Sequence, residues 1–287
     1  MQATREVLVA SGLERRDPAL VRVENHGVAV WTDPSLLDAA GVLVAFTERG
    51  GGVSCGPHAS LNLADHVGDD PRAVDENRHR LLESVGLGYG SVRLVMAEQV
   101  HGDRVVTIDA GEYALGSPVP GCDALVTREP DVALLMCFAD CVPVVLVWPG
   151  DGEGGSRPAV SVVHAGWRGA LAGLPGIAVR ALCESAERSP AHLRAYVGPH
   201  IRACHYVVDE SIMSHFVRTF GTFARAESGG LDLGAVVSAS LTDAGVDPCC
   251  IARLGTCTFE ATDRFFSYRA EEGLTGRHGA LACVLSP

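Results

Sequence analysis

Apolar residues in this chain gather into short, nearly unbroken runs separated by polar and glycine-rich stretches. The runs are "GVLVAFT" (41–47), "SVRLVMAEQV" (91–100), "RVVTI" (104–108), "DVALLMCF" (131–138), "VPVVLV" (142–147), "AVSVVHA" (159–165), "RAYVG" (194–198) and "ALACVL" (280–285). Their length and their richness in Val, Leu and Ala predict buried strands. Four other windows carry helical spacing. "DPRAVDENRHRLLESVGLG" (70–88) opens with Asp70 as cap and Pro71 in the first turn. It sets Val74, Leu81, Leu82 and Val85 on one face and closes at Gly86 or Gly88. The windows 175–187, 208–221 and 232–245 predict further helices. Strands and helices mix without a regular βαβ beat. That pattern predicts an α+β fold, with helices laid over a mixed sheet core.

The stretch "WPGDGEGGSRP" (148–158) lies between two apolar runs. It reads as a long exposed loop joining neighbouring strands, not as a domain boundary. One domain is therefore expected over residues 41–287, with residues 1–40 as an N-terminal segment packed on it.

Composition narrows the function classes. The chain has 287 residues, 47% hydrophobic and 20% charged, with a net charge of −12. This fits a soluble protein with a sizeable core. Without a basic run, a nucleic-acid partner is not expected. No segment reaches the roughly 20 apolar residues of a membrane span. The start "MQATREVLVASGLERRDPALV" lacks the layout of an export signal, so a cytoplasmic protein is expected. Ten cysteines without a secretion signal predict reduced thiols, mostly buried as small hydrophobes. No CxxC pair occurs, so no zinc-finger motif is offered.

Reactive residues stand at the ends of the predicted strands. "AEQVHGDR" places His101 after one, "FADCVP" places Asp140 and Cys141 between two, and "VVHAGWRG" places His164, Trp167 and Arg168 at the end of another. Loops at strand ends are where sites are commonly built. Two histidines and a thiolate form a set of three protein ligands suited to catalytic zinc, with the fourth position open. The same residues also fit a second chemistry. His164 could activate Cys141 as a nucleophile, with Asp140 as orienter. Spacing does not choose between them.

Two further segments suit a small polar ligand. "TERGGGVSCGPHASLNLADHVGDD" (47–70) combines Arg49, three glycines and Asn62. "CTFEATDRFFSYRAEEGLTGRHG" (257–279) combines Cys257, Phe265, Phe266, Tyr268, Arg269 and Arg277, where aromatics could stack a base and arginines hold an anion.

Taken together, "RGGGVSCGPHASLNLADHVGDD", "ENRHRL", "EQVHGDRV", "CDALVT", "FADCVPVVLV", "VHAGWRG", "YVGPHI", "CT" and "FFSYR…TGRHG" resemble the YfiH-like family. That family was long labelled multicopper polyphenol oxidase or laccase domain. The motifs run in order from about residue 42 to the C-terminus. The resemblance implies a single α+β domain with a sandwich-like sheet core and flanking helices. It implies metal ligands at His101, Cys141 and His164, with zinc favoured and copper the alternative. The implied activity is phosphorolysis of adenosine, inosine, guanosine and S-methyl-5′-thioadenosine, with deamination of adenosine. Its partners would be purine nucleosides and inorganic phosphate, and the protein a monomer or weak dimer.

On that reading Asp140 moves a proton or orients a ligand, Arg49 and Arg168 hold phosphate, and Asn62, Phe266 and Arg269 meet the substrate. A Cys–His hydrolase or amidase acting on cell-wall precursors is the competing enzyme class. A copper polyphenol oxidase is the third. True multicopper oxidases need histidines in close pairs, and none of the eleven here forms HxH.

Overall fold

Alternation along each strand sorts the apolar side chains into three layers, and these layers define the architecture. The computed structural model describes residues 17–88, 90–109, 111, 118–152 and 155–286. Among them, two six-stranded sheets are present. The first runs in the order β1 (Val21–Asn25), β2 (Val28–Thr32), β3 (Val42–Thr47), β12 (His278–Val284), β7 (Val132–Phe138), β4 (Arg93–Met96). The second runs β11 (Ile251–Arg253), β10 (Arg194–Val197), β8 (Val142–Trp148), β9 (Ala159–Ala165), β6 (Ala124–Thr127), β5 (Val105–Ile108). Both mix parallel and antiparallel pairs.

Leu134, Met136 and Phe138 of β7 point into the space between the sheets, where they meet Val145, Val147, Val160, Val162 and Tyr196. Ala133, Leu135 and Cys137 point the other way, toward Leu81 and Leu82 of α2 (Pro71–Ser84). Beyond the second sheet, Val142, Val144 and Leu146 pack with α4 (Leu174–Ala186), α5 (Glu210–Phe220) and α6 (Leu233–Asp243) through Leu182, Phe216 and Val237. Both faces of the central strands are thus covered. This is why β7, β8 and β9 read as continuous apolar runs and lack polar alternation. Each fully buried Leu or Val contributes roughly 1.5–3 kcal/mol of transfer free energy. Two shorter helices complete the set, α1 (Pro34–Ala40) and α3 (Trp167–Leu171). None of these helices is long and apolar enough to cross a membrane.

The expected α+β class and the four predicted helices are present. Asp70 caps α2 by accepting from the Arg72 N–H, and Pro71 sits in the first turn. The 148–158 loop joins β8 to β9, which pair antiparallel. Residues 21–40 do more than pack against a domain that begins at 41. They supply β1 and β2, which extend the first sheet from β3, and then α1. The tight turn at His26-Gly27, with φ of 51° and 77°, closes that hairpin. Residues 1–16 lie outside the described residues.

The run 91–100 was expected to be strand throughout, yet β4 ends at Met96. Beyond it the Gln99 side chain takes the place of a backbone rung. Its amide nitrogen donates to the Cys137 carbonyl at 2.8 Å, and its oxygen accepts from the Cys137 N–H at 2.9 Å. The chain leaves the sheet there and arrives at His101.

Candidate metal centre

One end of the sandwich collects the end of β7, the start of β8, the end of β9 and the start of β6. Pairing sets Val142 beside Ala165 and Pro143 beside His164. Cys141 at the start of β8 is therefore a near neighbour of His164. The loop after β4 brings His101 across. The ligand atoms of His101, Cys141 and His164 all lie within 4.8 Å of one another. The two imidazole rings meet edge-on with centroids 4.7 Å apart. His164 is buried, Cys141 half-buried and His101 exposed, so the cluster opens to solvent on the His101 side.

Asp123, at the start of β6, organises two of the three. Its carboxylate is fully buried and accepts from His164 Nδ1 at 2.8 Å. It also accepts the backbone N–H groups of Val100, His101 and Gly102, at 3.2, 2.9 and 2.7 Å. Those bonds hold His101 in a left-handed conformation, φ 60°, that a non-glycine residue seldom adopts. With the Nδ1 proton given to Asp123, His164 keeps Nε2 for a ligand. A carboxylate behind a ligating histidine is the usual way its tautomer and ring plane are fixed. Burial opposes the Asp123 charge, but His164 and the backbone donors outweigh it and hold the carboxyl below its ordinary range.

The charge balance prepares the thiol for a cation. Burial resists ionisation of Cys141, yet His164 and His101 overcome it and bring the thiol down to about 6. Burial likewise disfavours charge on His164, but the Cys141 sulfur and Asp123 raise it to about 9. The site therefore favours a thiolate beside a positive partner. The cluster also has space set aside for it. A Cβ on Gly166 would stand 2.9 Å from His101 Cδ2 and 3.3 Å from Cys141 Sγ. Three donors of the type zinc prefers, one carrying an outer carboxylate, with a solvent-facing side, fit a metal with one open position.

Asp140 stands beside the cluster with φ 89° and is buried. Its Oδ1 accepts from the hydroxyls of Thr258 and Ser267, both at 2.7 Å, and its Oδ2 from the Arg269 N–H at 2.7 Å. Its own carbonyl accepts from the Ile201 N–H. Asp140 thus ties the 257–269 segment and the chain after β10 to the β7–β8 turn.

The other expected site residues divide into two groups. Arg168 is exposed, with its guanidinium 4.4 Å over the Trp167 ring. Arg269 is exposed and lies 5.4 Å over the Tyr206 ring. Cys141 and Arg168 both act on the Tyr206 hydroxyl, which sets that ring among them.

Asn62, Phe266 and Arg49, expected to meet substrate or phosphate, form the second group, and each is engaged within the protein. Asn62 is fully buried and satisfied by Ala64, Asp69 and the Arg277 N–H. Phe266 is fully buried under the Arg49 guanidinium, 4.3 Å from the ring centre. Arg49 is bound to the Ala59 and Thr262 carbonyls and to Glu271. These three brace the loop. The glycines before them serve backbone packing, since a Cβ on Gly51 would fall 2.2 Å from the Gly27 oxygen.

Sequence reasoning missed Asp123, Gly166, Thr258 and Ser267. For Asp123 a signal existed, because "CDALVT" puts an acid directly before an apolar strand, where a charge needs partners. Arg277, one of the arginines expected to hold an anion, has a guanidinium held below its ordinary range by burial, which the charges of Cys141 and Asp140 oppose.

The chain is similar to known proteins over most of its length. The family model described as multi-copper polyphenol oxidoreductase laccase matches residues 43–285. The purine nucleoside phosphorylase YlmD of Geobacillus stearothermophilus is 38% identical over 83% of this chain and 88% of its own. The purine nucleoside phosphorylase SCO2081 of Streptomyces coelicolor is 40% identical over 83% of this chain and 93% of its own. The crystal structure of the Geobacillus YlmD superposes with a TM-score of 0.79 at 34% identity, covering 96% of this chain and 98% of that one. The Bacillus licheniformis protein YfiH superposes with a TM-score of 0.79 at 28% identity, covering 91% and 97%. A family model matching residues 43–285, with relatives and a solved structure covering most of the chain, leaves one conclusion: this chain belongs to the laccase-like, YfiH-type family.

Proposed function

We propose that this protein is a zinc-dependent purine nucleoside phosphorylase that also deaminates adenosine, working at His101, Cys141 and His164. The observation that carries the reading is the convergence of those three donors around a solvent-facing position. The relatives' names supply the reaction class. Adenosine, inosine, guanosine and S-methyl-5′-thioadenosine share the purine N-glycosidic bond that such an enzyme cleaves. Deamination rests on the ligand chemistry, since base deaminases also hold zinc with imidazole and thiolate. Two imidazoles and a thiolate suit copper as well, but a laccase would need further close-paired histidines.

When bound, zinc would supply a Lewis acid and an acidified water. Around it, Asp123 keeps the His164 ring in one tautomer and His101 in place. Arg168 and Arg269 offer exposed guanidinium forks to phosphate. In phosphorolysis a phosphate oxygen bonds to C1′ of the ribose as the C1′–N9 bond breaks and the purine leaves with a proton. Positive charge builds on the sugar, as in glycoside cleavage. Asp140, with three donors on its carboxylate, acts as a brace for the Arg269 segment and not as a proton carrier.

A second reading has its own observation. Cys141, His164 and Asp123 stand in the order thiol, imidazole, carboxylate of a cysteine hydrolase, with the thiol already acidic. One experiment separates the two. Bound metal is measured, and adenosine is supplied with phosphate to the wild type and to Cys141→Ala. Release of adenine (phosphorolysis) or inosine (deamination) that disappears together with zinc supports the zinc-dependent reading. Cleavage of an amide or ester by fully metal-free wild type would replace it with the hydrolase.

A further inference from the structure

A second group of soft donors lies outside the centre just described. Cys204, His205, Cys257 and Glu260 place one ligand atom each within 4.8 Å of the others. Cys204 Sγ is 3.1 Å from His205 Nδ1 and 3.7 Å from Glu260 Oε1. His205 Nδ1 is 3.4 Å from Glu260 Oε1 and 3.9 Å from Cys257 Sγ. Tetrahedral zinc bonded to sulfur, nitrogen and oxygen at its usual lengths sets neighbouring donors about 3.4–3.8 Å apart. The observed separations scatter around that range.

The surroundings are organised as well. The Arg202 N–H donates to Cys257 Sγ at 3.3 Å, the kind of backbone bond that steadies a thiolate ligand. Phe259 stacks on the His205 ring, 4.3 Å between centroids and 13° from parallel, which fixes the imidazole plane. The two chain segments are already joined by a parallel bridge between His200 and Cys257, and the Thr258 N–H donates to the His200 carbonyl. The two thiolates and the carboxylate repel one another when gathered this closely. A divalent cation converts that repulsion into binding.

We infer that Cys204, His205, Cys257 and Glu260 form a second, structural zinc site that staples the loop after β10 to the loop after β11. Four protein ligands leave no position open, which makes it a structural centre and not a catalytic one. Its placement gives it a task. Thr258, next to Cys257, donates to Asp140, and Tyr206, next to His205, lies under Arg269. A metal here would hold both neighbours at the edge of the first centre. The absence of CxxC hides the site in the sequence, because its ligands come from an adjacent Cys-His pair and a Cys-x-x-Glu turn more than fifty residues away.

The test uses the full-length protein, stripped of metal under reducing conditions and titrated with Zn²⁺ against a chromophoric chelator. Wild type should take up about two equivalents, and Cys141→Ala and the double variant Cys204→Ser/Cys257→Ser about one each. A parallel measurement needs only Cys141→Ala and so does not depend on the double variant folding. Zinc should slow alkylation of Cys204 and Cys257 by at least about tenfold, read by peptide mass spectrometry. Cys55, also exposed, should alkylate at the same rate with or without zinc. Uptake of zinc by Cys141→Ala with that protection would establish the second site whatever reaction the first one catalyses. Failure of Cys141→Ala to take up zinc, or unprotected Cys204 and Cys257 at saturating zinc, would overturn the proposal.

Discussion

The body of β7 and the turn that follows it treat the same side chain in opposite ways. Cys137, in the strand, faces α2 among Leu81, Leu135 and Leu281, and burial pushes its thiol up to about 12. Cys141, past the turn, is also shut away from water on most sides, yet its thiol is brought down to about 6. Desolvation opposes charge at both. What differs is the company: apolar side chains on one side of the turn, two imidazoles on the other. Burial alone therefore says nothing about reactivity until the partners are counted.

The largest contrast should appear in metal-free protein treated with iodoacetamide across a pH series. Thiolate is the reacting form, so at pH 7 about nine-tenths of Cys141 is ready against about one part in 10⁵ of Cys137. Modification of Cys141 should fall away as pH drops through about 6, where the thiol regains its proton, and level off above it. A Cys141 profile centred near the ordinary cysteine value would break the comparison.

Next in size is substitution. Cys141→Ala should lower phosphorolysis by on the order of 10³-fold and abolish metal at the first centre, since a Lewis acid contributes several kcal/mol. Full activity in that variant, with the metal retained, would show that the imidazoles suffice. Asp123→Asn should weaken zinc binding there by about 10–100-fold, measured by chelator competition, because the His164 ring loses its anchor. An unchanged affinity would mean that the hydrogen bond follows from packing and does not direct it. Smallest is Cys137→Ala, which should cost about 1 kcal/mol of stability and leave turnover within about twofold. A thermal melt and a rate assay on the same sample decide it.

The sequence made some parts of this protein legible and hid others for physical reasons. Strands buried on both faces announce themselves, since β7, β8 and β9 carry almost no polar residue. Helix α2 was readable because its caps and its apolar face act over a few residues. β1 was missed because it is exposed along its whole length and offers no buried run, and β2 because its buried run is only five residues long. His101, Cys141 and His164 were visible as unusual residues at strand ends, but their convergence depends on pairings between distant segments. The roles of Asn62, Phe266 and Arg49 could not be read, because a polar or aromatic side chain in a loop looks the same whether it meets a substrate or its own backbone. Only the contacts distinguish them.

The Gln99 amide that completes the rung on Cys137 has a consequence for how the protein behaves among its own copies. β4 is an edge strand of four residues beside a β7 of seven, so part of β7 would otherwise present open backbone donors and acceptors. Such an edge is a template for another chain to add a strand. By occupying both the N–H and the carbonyl of Cys137, one side chain removes the rung nearest the mouth of the sandwich from that template. The same residue that lets the chain turn toward His101 thereby discourages self-association along β7.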